Sequence, residues 1–136
     1  MIGRDTLRAV SALALAVVVL AILLTTLTNV AVDTETRECA LGLPCTLGHV
    51  GLFAVLGVAA AGLFATSEAT RRSPRRVLLM MLLALWVFAA LDELGQTWVE
   101  GRDPTLQDWV ADMAGALLGM FAGSAVLRWL VARGRA

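Results

Sequence analysis

Seven residues of this 136-residue chain have side chains that could act together: His49, Asp92, Glu93, Gln96, Arg102, Asp108 and Asp112. Asp92 and Gln96 are four apart, Glu93 and Gln96 three apart, and Asp108 and Asp112 four apart, spacings that let each pair share a helix face. Carboxylates with one Arg and one His can hold a cation, bind an anionic headgroup through the guanidinium, or carry out acid-base chemistry where burial tunes a carboxyl group. In the last case Asp92 or Glu93 is the candidate general acid or base, with His49 as its partner. One imidazole among oxygen donors also describes many metal-free sites, so neither a metal nor a cofactor is expected. The chain has no Gly-x-Ser-x-Gly, His-Glu-x-x-His, glycine-rich phosphate loop or Cys-x-x-Cys.

The elements that must position these residues are set by composition. Hydrophobic residues make up 59% of the chain, charged residues 16%, and the mean hydropathy is +0.80. A soluble domain is about half apolar and about a quarter charged, so this chain has too little polar surface to cover a globule in water. At roughly 20 residues per crossing, its length accommodates four or five membrane spans and no separate catalytic domain. The 11 basic residues, all Arg, balance 11 acidic ones, which gives no net basic charge to attract nucleic acid.

Four spans are expected, at about 9–28, 46–66, 77–99 and 106–127, in one all-α bundle. The first has no charge from Ala9 to Thr28; it is too long for the apolar core of a signal peptide, and Asn29-Val30-Ala31 is a poor cleavage site. The third is apolar from Val77 to Leu91, about 22 Å of helix, which is too short to cross alone, so it is expected to continue through Gln96 toward Val99. Asp92 and Glu93 then lie inside the membrane's outer quarter. Before the fourth, Thr105 follows Pro104 and precedes Asp108 by three residues, the pattern of a helix N-cap with an acid at its third position.

The arginines give the orientation. Nine of 11 flank the same side: Arg4, Arg8, Arg71, Arg72, Arg75, Arg76, Arg128, Arg133 and Arg135. The positive-inside rule makes that side the cytoplasm, with both termini there. The other side holds Arg37 and Arg102 among Asp33, Glu35, Glu38, Glu100 and Asp103. The second and fourth spans start on that outer side and the third ends there, which puts all seven polar residues at one level.

Each has a plainer role to set against function. Asp108 could serve only the helix N-terminus, His49 could bond one neighbour at the interface, and Asp112 could pair with Arg102 to lock the loop. Asp92 and Glu93 are costly in an apolar helix unless partnered, and could form a clasp between helices. Gly115, Gly119 and Gly123 follow Ala111 at intervals of four, the small-residue spacing of close helix packing, which makes the fourth span central in the bundle or part of a dimer interface. Cys39 and Cys45 lie in the outer loop, as a disulfide or as two thiols. The four arginines around Pro74 read as a topology anchor, and Trp86, Trp98, Trp109 and Trp129 as apolar bulk and interfacial anchors, with Trp98 and Trp109 flanking the polar residues.

The run Asp92-Glu93-Leu94-Gly95-Gln96, then Gly101-Arg102, Asp108, and Gly115 and Gly119, resembles the signature of VanZ-like membrane proteins, as does the spacing of His49 and Phe53. The resemblance covers about Thr46 to Gly123. Thr46 stands where that family usually has Lys, and Asp112 where it has Asn, so the charge balance here differs from the family pattern. The resemblance implies a small integral membrane protein of the bacterial envelope, in a family whose best-known member is associated with resistance to the glycopeptide teicoplanin.

Three readings follow. The first is an inner-membrane protein whose outer pocket binds a lipid-linked cell-wall component or contributes to glycopeptide resistance, with Arg102 on an anionic group. The second is a hydrolase or transferase acting on a lipid-linked envelope substrate. The third is an assembly module whose acids only join helices. The expected partners are the lipid bilayer, such a precursor, and a second copy of the chain.

Overall fold

The computed structural model describes residues 3–28, 32–33, 38–39, 43–100, 102 and 104–133. Its four long helices are α1 (Arg4–Leu27), α2 (Cys45–Thr66), α4 (Pro74–Gln96) and α5 (Leu106–Arg133), with a short α3 (Glu68–Arg72) between α2 and α4. All four long helices carry segments apolar enough to cross a membrane, with mean hydropathy from 1.7 to 2.7, and this is a multi-pass all-α membrane protein. Between α1 and α2 lie three two-residue strands, β1 (Val32–Asp33), β2 (Glu38–Cys39) and β3 (Leu43–Pro44). They pair antiparallel in the order β1-β2-β3, with Val32 opposite Cys39 and Cys39 opposite Leu43. The side chains of Cys39 and Cys45, and all of Glu35, Arg37, Asp103 and Arg135, lie outside the described part.

Helix boundaries differ from the hydropathy reading where charge hid helix. α4 starts at Pro74, three residues before the expected Val77, because Pro fits the first helical position with its missing N–H and preset φ. Twenty-three residues give about 34 Å of helix, enough to cross, so the expected extension to Val99 does not occur. Instead α4 ends at Gln96, and the N–H groups of Thr97, Trp98 and Val99 donate to carbonyls three residues back, at 3.0–3.2 Å. α5 continues past Leu127 to Arg133, whose guanidinium sits 3.9 Å over the Trp129 ring.

The largest interface in the bundle joins α2 to α5. Along it Gly115 meets Val50, Gly119 meets Ala54 and Gly123 meets Val58, each step advancing four residues on both helices, so the two run parallel. A Cβ at Gly119 would overlap the Ala54 carbonyl, and one at Gly57 the Ala116 carbonyl. Backbone contact of this closeness is available only to glycine, and it assigns the glycine stripe of α5 to a seam inside the chain. α1 runs antiparallel to α2, its Arg4 Nη2 donating to the Thr66 carbonyl at 2.9 Å. Ser11 stands where a Cβ on Gly62 would be.

The core between the helices is small and apolar: Ile22, Phe53, Leu56, Ala60, Leu85, Ala89, Ala116 and Met120. Phe53 and Phe88 stack at 5.9 Å between ring centres. Outward faces carry exposed Leu13, Leu79, Leu118 and Phe121, a distribution suited to hydrocarbon outside. The starts of α2 and α5 and the ends of α1 and α4 share one end of the bundle. The start of α1 and the end of α5, with α3, lie at the opposite end, as do the described arginines other than Arg102.

Gly119→Ala should lower stability in detergent by roughly 1–3 kcal/mol, the cost of overpacking a tight contact, read as a fall in thermal midpoint. Gly51→Ala, where a Cβ meets nothing within 4 Å, should leave the midpoint unchanged. Equal effects would show that the seam is not the tight contact described.

Candidate functional site

The second turn of α5 and the first turns of α2 face each other across the glycine seam, and this registers His49 with Asp112. His49 Nδ1 lies 2.9 Å from Asp112 Oδ1 and 3.8 Å from Glu93 Oε1. Asp112 is wholly buried, and Asp92 and Glu93 are 3% and 6% exposed. One donor atom from each of His49, Asp92, Glu93 and Asp112 falls within 4.8 Å of the others. Four spans converge here, since the Thr26 hydroxyl of α1 donates to Asp92 Oδ1.

Glu93 joins the site to the loop that follows. Its Oε1 accepts from Gln96 Nε2 at 2.8 Å, the bond expected from their spacing. Its Oε2 accepts from the backbone N–H of Thr105 at 3.0 Å. Thr105 is the cap of α5: its hydroxyl accepts from the Asp108 N–H at 3.0 Å and donates to Asp108 Oδ2 at 2.7 Å. In a reciprocal capping box the third-position acid would take the N–H of the cap residue. Here Glu93 takes it from a neighbouring helix, and Asp108 Oδ1 is free to accept from the Thr46 hydroxyl at 3.0 Å.

Arg102 is half-buried in the loop. Burial pulls its guanidinium below the ordinary value, opposed by the charges of Asp92, Glu93 and Asp108. It makes no ion pair at 4.0 Å or closer among the described residues. Asp112 does not pair with it, because the α2–α5 seam delivers His49 to Asp112 first. Three buried atoms at this end have no hydrogen-bond partner among the described residues: Arg102 Nε, Trp109 Nε1 and Asp112 Oδ2. The Trp109 ring stacks on Trp86 at 5.5 Å, and Trp98 is exposed.

All seven polar residues read from the sequence therefore gather at one end. His49, Asp92, Glu93 and Asp112 form its centre, Gln96 supports Glu93, Asp108 belongs to the cap, and Arg102 stands at the side. Gly115, Gly119 and Gly123 pack α5 on α2 and take no part in the chemistry. Thr26, the partner of Asp92, had no sequence signal beyond a hydroxyl in an apolar stretch, and Thr46, the partner of Asp108, was marked only as the position of the family's usual Lys.

The sequence matches the VanZ/LLP1 family over residues 10–128, most of the chain and all of the site. Comparison with curated proteins and with solved structures gives no match.

Thr26→Val keeps the side-chain shape and removes the donor, leaving a buried Asp92 oxygen unsatisfied. The expected loss is about 1–3 kcal/mol, measured by denaturation in detergent. With Asp92→Ala in the same chain the two losses should not add; strict additivity would mean that the two side chains do not interact.

Proposed function

The chain belongs to the VanZ/LLP1 family, and we propose that it is a binding protein of the bacterial cytoplasmic membrane whose polar end takes the anionic headgroup of a lipid-linked cell-wall component. Arg102 carries this reading: a half-buried guanidinium with its Nε unbonded among the described residues, beside a cluster that four helices hold in place. A guanidinium offers planar, forked donors that suit phosphate and carboxylate. The indole N–H of Trp109, unbonded among the described residues, adds a second donor at the same end. The arginine-rich opposite end favours the cytoplasm, which supports an outer-leaflet position for the cluster, within reach of lipid-linked precursors. Occupying such a component is a route by which the protein would contribute to glycopeptide resistance.

A second reading, a hydrolase or transferase on the same class of lipid, draws on the position of His49. Its Nδ1 lies between Asp112 and Glu93 at 2.9 and 3.8 Å, the arrangement of a base with carboxylates to orient it. A lipid profile that changes with Glu93→Gln would favour turnover over binding.

Two measurements test the proposal. In a Cys39→Ser, Cys45→Ser background, Thr97→Cys should react with a membrane-impermeant maleimide in intact cells, and Ser73→Cys only after permeabilisation; the reverse pattern overturns the outer placement. Arg102→Ala should bind a polyprenyl-phosphate-linked peptidoglycan precursor in nanodiscs roughly 10- to 150-fold more weakly, the worth of about 1.5–3 kcal/mol for charged hydrogen bonds. Unchanged binding by a normally abundant variant overturns the headgroup reading.

A further inference from the structure

The centre of the site has more negative charge than its protein partners answer. Asp92, Glu93 and Asp112 are buried within 4.8 Å of one another and of His49. With all three carboxylates ionised the charge is −3, against which Arg102 returns +1 and the proton between His49 and Asp112 another +1. Helix-buried acids of this kind are satisfied by a paired charge, a bound proton or a coordinated cation. Asp112 supplies a separate observation, for it is wholly buried and its Oδ2 has no hydrogen-bond partner among the described residues. An isolated acidic patch would leave its oxygens to water; this oxygen is closed off from it.

We propose that His49, Asp92, Glu93 and Asp112 bind one divalent first-row transition-metal ion, Zn²⁺ or Mn²⁺. Atoms bound about 2.0–2.2 Å from a common ion stand roughly 2.8–4.4 Å apart, depending on the geometry. The observed separations include 2.9 Å for His49 to Asp112 and 3.8 Å for His49 to Glu93, and all fall within 4.8 Å. Inward movements of a few tenths of an ångström therefore close the set. A divalent ion brings the carboxylates, Arg102 and a neutral imidazole to zero formal charge. It replaces the proton shared by His49 Nδ1 and Asp112 Oδ1, which leaves to solvent.

The supports are those of a coordination site. Metal-bound carboxylates are held by outer hydrogen bonds. Asp92 has the Thr26 hydroxyl, and Glu93 has Gln96 Nε2 and the Thr105 N–H. The donor set selects the ion: one imidazole with three carboxylates suits Zn²⁺ or Mn²⁺, whereas Ca²⁺ takes six to eight oxygens and Mg²⁺ keeps most of its waters. This site stands independently of the headgroup reading, although an ion here would add positive charge beside Arg102 for an anionic ligand.

The test uses the full chain in detergent without any lipid precursor, stripped by chelator, dialysed against Zn²⁺ or Mn²⁺, and analysed for metal by mass spectrometry. About one ion per chain is expected, with a raised thermal midpoint that chelator reverses. Asp112→Asn and His49→Gln should each weaken binding on the order of 100-fold or more, and Asp108→Asn, outside the four, should bind like the parent. A folded parent chain that takes up neither ion, or His49→Gln/Asp112→Asn retaining the full complement, overturns the proposal. Because the parent measurement is decisive by itself, misfolding of a variant does not rescue it. Arg102→Ala should keep the ion, so loss of headgroup binding and loss of metal are separate results.

Discussion

The backbone contact between α2 and α5 fixes the lateral order of the bundle, and the site depends on it. Glycines on both helices remove the side chains that would hold the axes apart. Parallel packing at that distance sets His49 and Asp112 side by side, although 63 residues separate them in sequence. A helix pair spaced by leucines would keep the same polar residues at the same depth and leave them too far apart to share a proton or an ion. Depth in the membrane and proximity in the plane are thus set by different features: hydropathy for the first, small residues for the second.

Buried charge then constrains the remaining helices. An ionised carboxylate inside an apolar bundle is tolerated when donors surround it, and each acid draws a donor from a different element. Asp92 takes the Thr26 hydroxyl from α1, Glu93 takes the start of α5, and Asp112 takes α2. Gly95 lets α1 come close to α4 beside the first of these, since a Cβ there would sit 3.3 Å from Thr26 Cγ2. The same contacts that satisfy the acids therefore tie four spans together at one end. A clasp and a binding site are not competing descriptions of this geometry, because rigid supports around the acids are what a coordinating or recognising site requires.

Much of this was legible in the sequence, for reasons that are local. Uncharged runs of about 20 residues mark spans whatever their neighbours, and arginine placement separates the two ends. The Thr105–Asp108 cap is a three-residue signal and appears as written. The start of α4 was obscured because Arg75 and Arg76 lower hydropathy while remaining good helix residues, and Pro74 was the better guide. The β1–β3 pairing left no signal, its strands being two residues each. The pairings across the bundle were hidden for a different reason. Thr26 and Thr46 are neutral in hydropathy and unremarkable in helices, and only the order of helices around the axis makes them partners of Asp92 and Asp108. The same ignorance of lateral order pointed to Arg102 as the partner of Asp112, and the glycine seam delivers His49 instead.

Glu93 connects this rigid centre to the loop that carries Arg102. Its two oxygens face different ways: Oε1 toward Gln96 and His49, Oε2 toward the Thr105 N–H that begins α5. Thr105 caps α5 and stands three residues after Arg102, so Glu93 is bonded at the junction of loop and helix. The N–H that would ordinarily be satisfied within its own helix is held from another, so the start of α5 is bonded directly to an acid at the centre of the bundle.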